Sequence, residues 1–447
     1  MHVVNMKKGS KIFRFVSLLV IPLIVQSMIP LVNATETEIF SEHVEAEVQR
    51  LVTKGDIPSL HACVVSDNEI RWLRGFGDQT SPDTVFLIGS IQKVFVAISI
   101  LQLYEDNIIN LDDDVNDYLS FTIEHPDFPT SPVTIRMLLS HRSGLIATLP
   151  SEFCYDWEGL DHPEYSRYYY PSVIGIPLGE YLSKCLSANG SLYNSSNWLF
   201  EPGTQYSYSN NGYKVLMHIL ETVSNQTISE YMQENIFGPL RMNNTGFNAS
   251  EFMGHQATPH TRTYEDATNK ELPIWNGQYM LRSTVSDMGH LLIALMNEGQ
   301  FDGYQLLQQD TIAMMFENTN PNNVRMRIRS LLPTKKLLRV GYGLGIEVFN
   351  NEILGHGGST VGFTAECYLN PNTRLGYVRL SNVNAILDYT STEWRDVNRV
   401  TDEIRTPIIT KIGMLPTIDW VILFMVIVTL GSVIMILRSW YSRKKVS

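Results

Sequence analysis

Residues Ser90 to Tyr104 read SIQKVFVAISILQLY, and Val94, Phe95, Ala97, Ile98, Ile100, Leu101 and Leu103 leave almost no polar stripe on the helix they predict. A helix apolar on nearly all sides is a buried helix. Its first turn would carry a hydroxyl, Ser90, and an amine, Lys93, on one face and within reach of each other. The positive end of the helix favours negative charge developing on that hydroxyl, and a desolvated lysine tends to lose its proton and become a base. Those are the parts of an activated serine nucleophile. The same residues also fit a polar first turn that merely caps a core helix, and a Ser and a Lys at this spacing arise by chance about once or twice in such a chain. The spacing therefore needs corroboration from the rest of the sequence.

On the N-terminal side, Glu38 to Thr53 reads as an amphipathic helix with Ile39, Phe40, Val44, Val48 and Leu51 on one side. Leu60 to Val65 and Glu69 to Gly75 read as two strands around the turn Ser66-Asp67-Asn68. Helix, hairpin and buried helix in succession suggest an α/β layer. On the C-terminal side, Thr134 would cap a short helix and Gly144 would end it. His141, at the end of that helix, reads as structural rather than catalytic. From about 146 to 200 the pattern loosens into an insertion holding Cys154, Cys185 and the cluster Tyr165 to Tyr170, either a lid or rim over a site or a passive elaboration. Helices return at Gly212 to Val223, Ile228 to Ile236, Asp287 to Glu298 and Gln309 to Phe316. Strand-like runs come next at Tyr342 to Phe349, Thr364 to Leu369 and Gly376 to Leu380, the last two joined by the turn Asn370-Pro371-Asn372-Thr373.

The two ends differ from this body. Lys7, Lys8, Lys11 and Arg14 precede the apolar run Phe15 to Val32, and Val32-Asn33-Ala34 suits cleavage of a signal peptide after residue 34. The rival reading is an uncleaved anchor. Trp420 to Leu437 carries no charge, is flanked by Trp440 and Tyr441, and is long enough to span a bilayer, so a transmembrane helix is expected over 418–438. Arg438, Arg443, Lys444 and Lys445 place a short tail, 439–447, in the cytoplasm and the domain from 35 to 415 outside. The 447 residues carry a net charge of −12, and the basic ends make the segment between them more acidic still. Such a surface argues against nucleic acid as a partner. Cys154 and Cys185 could be bridged outside the cell, whereas Cys63 and Cys367 lie in apolar runs as small core residues. No metal-ligand spacing is present, and no cofactor is expected.

The reading sharpens at Glu201 to Tyr213, EPGTQYSYSNNGY, where a Pro-Gly-Thr run precedes Tyr208-Ser209-Asn210. Three clusters then stand in order: Ser90-x-x-Lys93, Tyr208-x-Asn210 and His356-Gly357-Gly358. The sequence from about 38 to 385 resembles the serine β-lactamase and penicillin-binding-protein superfamily, in particular its class C-related, D-alanyl-D-alanine carboxypeptidase-like branch. The resemblance implies an antiparallel sheet flanked by helices, with a mostly helical subdomain. It implies Ser90 as the nucleophile, Lys93 and Tyr208 sharing its proton, and Asn210 holding the acyl side of the substrate. The backbone N–H groups of Ser90 and Ser359 would form the oxyanion hole, and Gly357 and Gly358 would let the strand edge approach closely. A cation beside Tyr208 is expected to draw its pKa down from about 10. Tyr368-Leu369-Asn370 repeats the second motif but leads into a turn, and reads as structural.

The departure from the family pattern is His356, which stands in place of a lysine. A permanent cation suits a substrate's terminal carboxylate, whereas histidine is mostly neutral at pH 7. The expected function is a membrane-anchored extracellular serine hydrolase of small peptides, amides or esters that lack a free carboxylate. The alternative is a non-catalytic or slowly turning-over penicillin-binding receptor or wall-binding module on the same fold.

Overall fold

A computed structural model describes residues 42–149, 175–263, 266–271, 279–320, 324–326, 338–349 and 352–384. Residues 1–34, expected as a signal peptide, the run Trp420 to Leu437, Cys154 and the tyrosines at 165–170 lie outside them. Among the described residues no helix is long and apolar enough to cross a membrane. The chain divides into Met1–Ala46 and Glu47–Ser447, and the second unit holds the sheet and the candidate site.

The centre of that unit is an eight-stranded sheet: β1 (Ser59–Ser66), β2 (Glu69–Gly77), β3 (Val324–Met326), β4 (Leu338–Tyr342), β5 (Glu347–Phe349), β6 (Ile353–Thr360), β7 (Phe363–Asn370) and β8 (Leu375–Ser381). The spatial order is β2-β1-β8-β7-β6-β5-β4-β3, with every pairing antiparallel. β1 is buried along its whole length, while β2 at the edge buries Trp72 and Phe76 and exposes most of the rest. Asp67 and Asn68 both have positive φ, so the β1–β2 turn has the twist that a two-residue hairpin loop needs. At the β7–β8 turn the side chain of Asn370 accepts from the amides of Asn372 and Thr373. The first strand pairs with the last through Leu60↔Ser381, and Ser59 N donates to Asn382 Oδ1 at 2.7 Å.

One expected strand is two. Tyr342 to Phe349 folds back on itself as β4 and β5, with Gly343 N donating to Ile346 O at 2.8 Å. Gly345, at φ +83°, makes the turn possible, since a Cβ there would come within 2.2 Å of Ala97 Cβ. Only a glycine fits a left-handed turn pressed this closely on a helix.

That helix, α2 (Gln92–Glu105), follows α1 (Glu42–Lys54) and is buried from Lys93 to Leu103. Phe95, Ile98 and Leu101 are wholly enclosed, each contributing about 1.5–3 kcal/mol of burial. The helix begins later than the apolar run suggests, because Gly89–Ile91 forms a single 3-10 turn before it. α3 (Ile135–Leu139) is capped by Thr134, whose hydroxyl accepts from Met137 N. It closes at Ser140, well before Gly144, and His141 turns the chain in the left-handed region. α4 (Leu178–Leu186), α5 (Asn210–Ser224) and α6 (Ile228–Met232) complete a helical layer in which α5 packs on α2, α3, α4 and α6. α7 (Val285–Met296) lies on β1, β2, β7 and β8, and α8 (Gln309–Phe316) comes after it. Cys63 and Cys367 are buried free thiols, and Cys63 donates to Val285 O. The described residues thus form an antiparallel sheet covered by helices, with a helical layer beside it.

Candidate active site

The site forms where the Gly89–Ile91 turn meets β6. Gly89 has φ +53°, and a Cβ on it would lie 2.9 Å from Ser359 N. A Cβ on Gly358 would lie 1.9 Å from Ile88 O. The two backbones therefore touch, and the amide of Ser359 stands beside the turn that carries Ser90. Ser359 is exposed, and its hydroxyl accepts from Asn384 Nδ2 at 2.8 Å, which also donates to Thr360 O.

Lys93 sits in the first turn of α2 on the same face as Ser90, and only 8% of it is exposed. Its Nζ lies 3.1 Å from Ser90 Oγ and 2.9 Å from Asn210 Oδ1. It also lies 4.9 Å from the centre of the Tyr208 ring and 5.6 Å from that of Tyr213. Asn210 opens α5, where Ser209 is the cap: its hydroxyl accepts from Gly212 N and donates to Ile146 O. Asn210 N in turn donates to Ala147 O. These bonds stitch the Tyr-x-Asn segment to residues 146 and 147, so Asn210 meets the lysine as a fixed acceptor.

The phenol of Tyr208 is near enough to Ser90 for the serine to bear on its titration. Its pKa is not drawn down by the neighbouring cation, as the sequence suggests it should be. Burial drives it well above the usual tyrosine value and outweighs the opposing effect of Ser90, with the Glu347 charge adding to the rise. Desolvation of a phenolate among aromatic rings exceeds what one nearby ammonium returns. Tyr208 is therefore a neutral phenol at pH 7.

His356 is 2% exposed, and both ring nitrogens are engaged. Nδ1 is 2.6 Å from Gly357 O and must donate to it, which leaves Nε2 to accept from the Tyr342 hydroxyl at 3.1 Å. Burial and then Lys93 depress its pKa to about 3, against a smaller opposing effect of the Gly357 carbonyl. The third motif thus contributes no positive charge, as its sequence implies. Its imidazole is buried, with the ring 6.1 Å from that of Tyr208. Tyr368 donates to Glu347 at 2.8 Å, and Asn370 belongs to the β7–β8 turn, so the second Tyr-x-Asn is part of the framework.

Several residues around the site carry no motif. Tyr206, Tyr213 and Tyr342 enclose His141, whose ring lies 4.3 Å from that of Tyr208 and 4.5 Å from that of Tyr342. Tyr213 donates to Leu139 O at 2.7 Å. The signals were the density of tyrosines from 206 to 213 and the alternating glycines around Tyr342. Among the described residues no group of His, Cys, Asp and Glu could hold a metal ion.

A Beta-lactamase family model matches residues 44–400, and the chain belongs to that family. Among curated proteins it is similar to the protein flp of Staphylococcus aureus (strain N315), with 23% identity over 360 residues, covering 77% of this chain and 63% of that one. The chain thus spans a little under two thirds of the relative's length. Among solved structures its fold is similar to an octameric penicillin-binding protein homologue from Pyrococcus abyssi, with a TM-score of 0.62, 22% identity, and coverage of 81% of this chain and 77% of that chain. It is also similar to a D-amino acid amidase from Ochrobactrum anthropi SV3, with a TM-score of 0.59, 19% identity, and coverage of 82% and 98%.

Proposed function

We propose that this chain is a serine hydrolase that forms an acyl-enzyme on Ser90 and cleaves amide, peptide or ester bonds. The observation that carries the reading is the convergence on one amine: Lys93 Nζ lies 3.1 Å from Ser90 Oγ and 2.9 Å from Asn210 Oδ1, with the Tyr208 ring centre 4.9 Å away. In this mechanism Lys93, an ammonium at rest, first releases a proton to solvent, and the resulting amine accepts the serine proton as Oγ bonds to the substrate carbonyl carbon. Tyr208 keeps its own proton at rest, so it serves as the relay that delivers one to the leaving nitrogen or oxygen as that bond breaks. Asn210 fixes the amine through Oδ1, and its amide N–H remains for the acyl side of the substrate. The amides of Ser90 and Ser359 receive the oxyanion, each donor accounting for about 3–4 kcal/mol of transition-state stabilisation. Water then attacks the acyl-enzyme with the proton path reversed.

Charge at the site supports a narrower substrate class. His356 is neutral and buried, and burial together with the nearby Glu347 carboxylate raises the pKa of both Tyr206 and Tyr208. A substrate carboxylate gains nothing there, which favours amides and esters without one. The fold shared with a D-amino acid amidase supports the amide arm of this choice. Export by residues 1–34 and tethering by Trp420 to Leu437 complete the proposal, on the apolar patterning of those segments.

The test is covalent. A fluorophosphonate probe should label the wild-type chain, and Ser90→Ala should abolish both labelling and turnover of chromogenic esters and D-amino acid amides. Turnover that persists in the alanine variant overturns the assignment.

A further inference from the structure

We infer that His141 is a positioning residue for the reaction, holding Tyr208 against Ser90 by binding the backbone on both sides of the tyrosine. This role depends on the serine-hydrolase chemistry proposed for Ser90. The His141 carbonyl accepts from Ser207 N at 2.9 Å, and His141 Nδ1 accepts from Ser209 N at 3.0 Å. The residues immediately before and after Tyr208 thus hang from the two ends of one histidine, and its imidazole packs 4.3 Å from the phenol ring between them.

The donor dictates the tautomer. Ser209 N–H can only donate, so Nδ1 carries the lone pair and the proton sits on Nε2. That N–H is buried with no hydrogen-bond partner among the described residues, and the Tyr342 ring stands edge-on 4.5 Å away. The backbone at His141 is left-handed, at φ +56°, which a non-glycine residue adopts at a cost. A buried N–H without an acceptor and a left-handed backbone are both unfavourable, and they coincide at the residue that frames Tyr208. Such costs gather where geometry is being imposed. An acceptor at Nδ1 is what the placement requires. Asparagine can supply it, because its Oδ1 takes the place of Nδ1 and it tolerates the left-handed region.

The experiment compares wild type, Ser90→Ala, His141→Leu and His141→Asn in fluorophosphonate labelling of Ser90 and in steady-state hydrolysis of p-nitrophenyl acetate. His141→Leu should lower kcat and the labelling rate by about 100-fold with KM nearly unchanged, because an ångström of misplacement costs that much, while His141→Asn should stay within about threefold of wild type. Unchanged kcat in a folded His141→Leu protein overturns the inference, as does a loss in His141→Asn equal to that in His141→Leu. If His141→Leu does not fold, His141→Asn decides alone: it keeps the acceptor and deletes the Nε2 proton, so a large loss overturns positioning. Failure of the wild type to label, or labelling that survives in Ser90→Ala, defeats the nucleophile assignment itself. Labelling lost in Ser90→Ala but normal in His141→Leu defeats only the role of His141.

Discussion

Burial, more than charge pairing, decides what the side chains of this site can do. Tyr208 and Lys93 stand within a few ångströms of each other, yet the phenol stays protonated because the rings around it deny its anion a solvent. The same effect makes the buried histidines sensitive to acid. His61, His141 and His356 all have pKa values pushed below 6.5 by burial, that of His356 to about 3. Unfolding below pH 6.5 therefore takes up protons, so their stabilisation is complete above about 6.5 and is lost as pH falls toward the folded values. Each such group should add about 1.4 kcal/mol of lost stability per pH unit in that window. Urea denaturation between pH 7 and 4 tests this: His356→Gln should flatten the slope relative to wild type, and an unchanged slope would mean that His356 is already protonated in the fold.

Among the elements, the contact between β6 and the Gly89 turn matters most for catalysis. Gly358→Ala would drive a methyl group into Ile88 O, where the gap is 1.9 Å, and part the two amides proposed as oxyanion donors. The expected cost is about 1–3 kcal/mol of stability from overpacking, together with a fall in kcat far steeper than the change in melting temperature. Activity and thermal melts measured on one preparation would separate the two effects, and a variant with normal kcat would exclude this contact from the machinery. Much of this arrangement was legible in the amino acids. Period locates α8, the Thr134 cap locates α3, and the turn Ser66-Asp67-Asn68 locates the β1–β2 hairpin, while Ser-x-x-Lys and Tyr-x-Asn locate the reacting groups, because these are local rules. The break between β4 and β5 was not legible, since Tyr342 to Phe349 is apolar enough to pass for one strand and the reason for the turn is Ala97, far away in sequence. Nor was the enclosure of His141 legible, for its partners at 206–213 and 342 meet it only in three dimensions. The pKa of Tyr208 was misread for the same reason: a neighbouring lysine is visible in a motif, whereas the depth of burial is not.

Along the whole chain, an acidic middle lies between two ends that are both basic and apolar. With the tether proposed at Trp420 to Leu437, the full chain should stay with membranes after a carbonate wash, and a chain ending at residue 415 should be released with its esterase activity intact. Release of the full chain would remove the tether from the proposal. The closure of the sheet bears on biogenesis. Ser59 and Asn382 are bonded across 323 positions of sequence, so β1 leaves the ribosome long before β8, the strand it must pair with, has been translated. Until then β1 carries an apolar edge with nothing beside it, the kind of edge that recruits other chains. A message truncated ahead of Leu375 should accordingly yield insoluble aggregates instead of a weak enzyme, although every proposed reacting group and oxyanion donor would already have been synthesised.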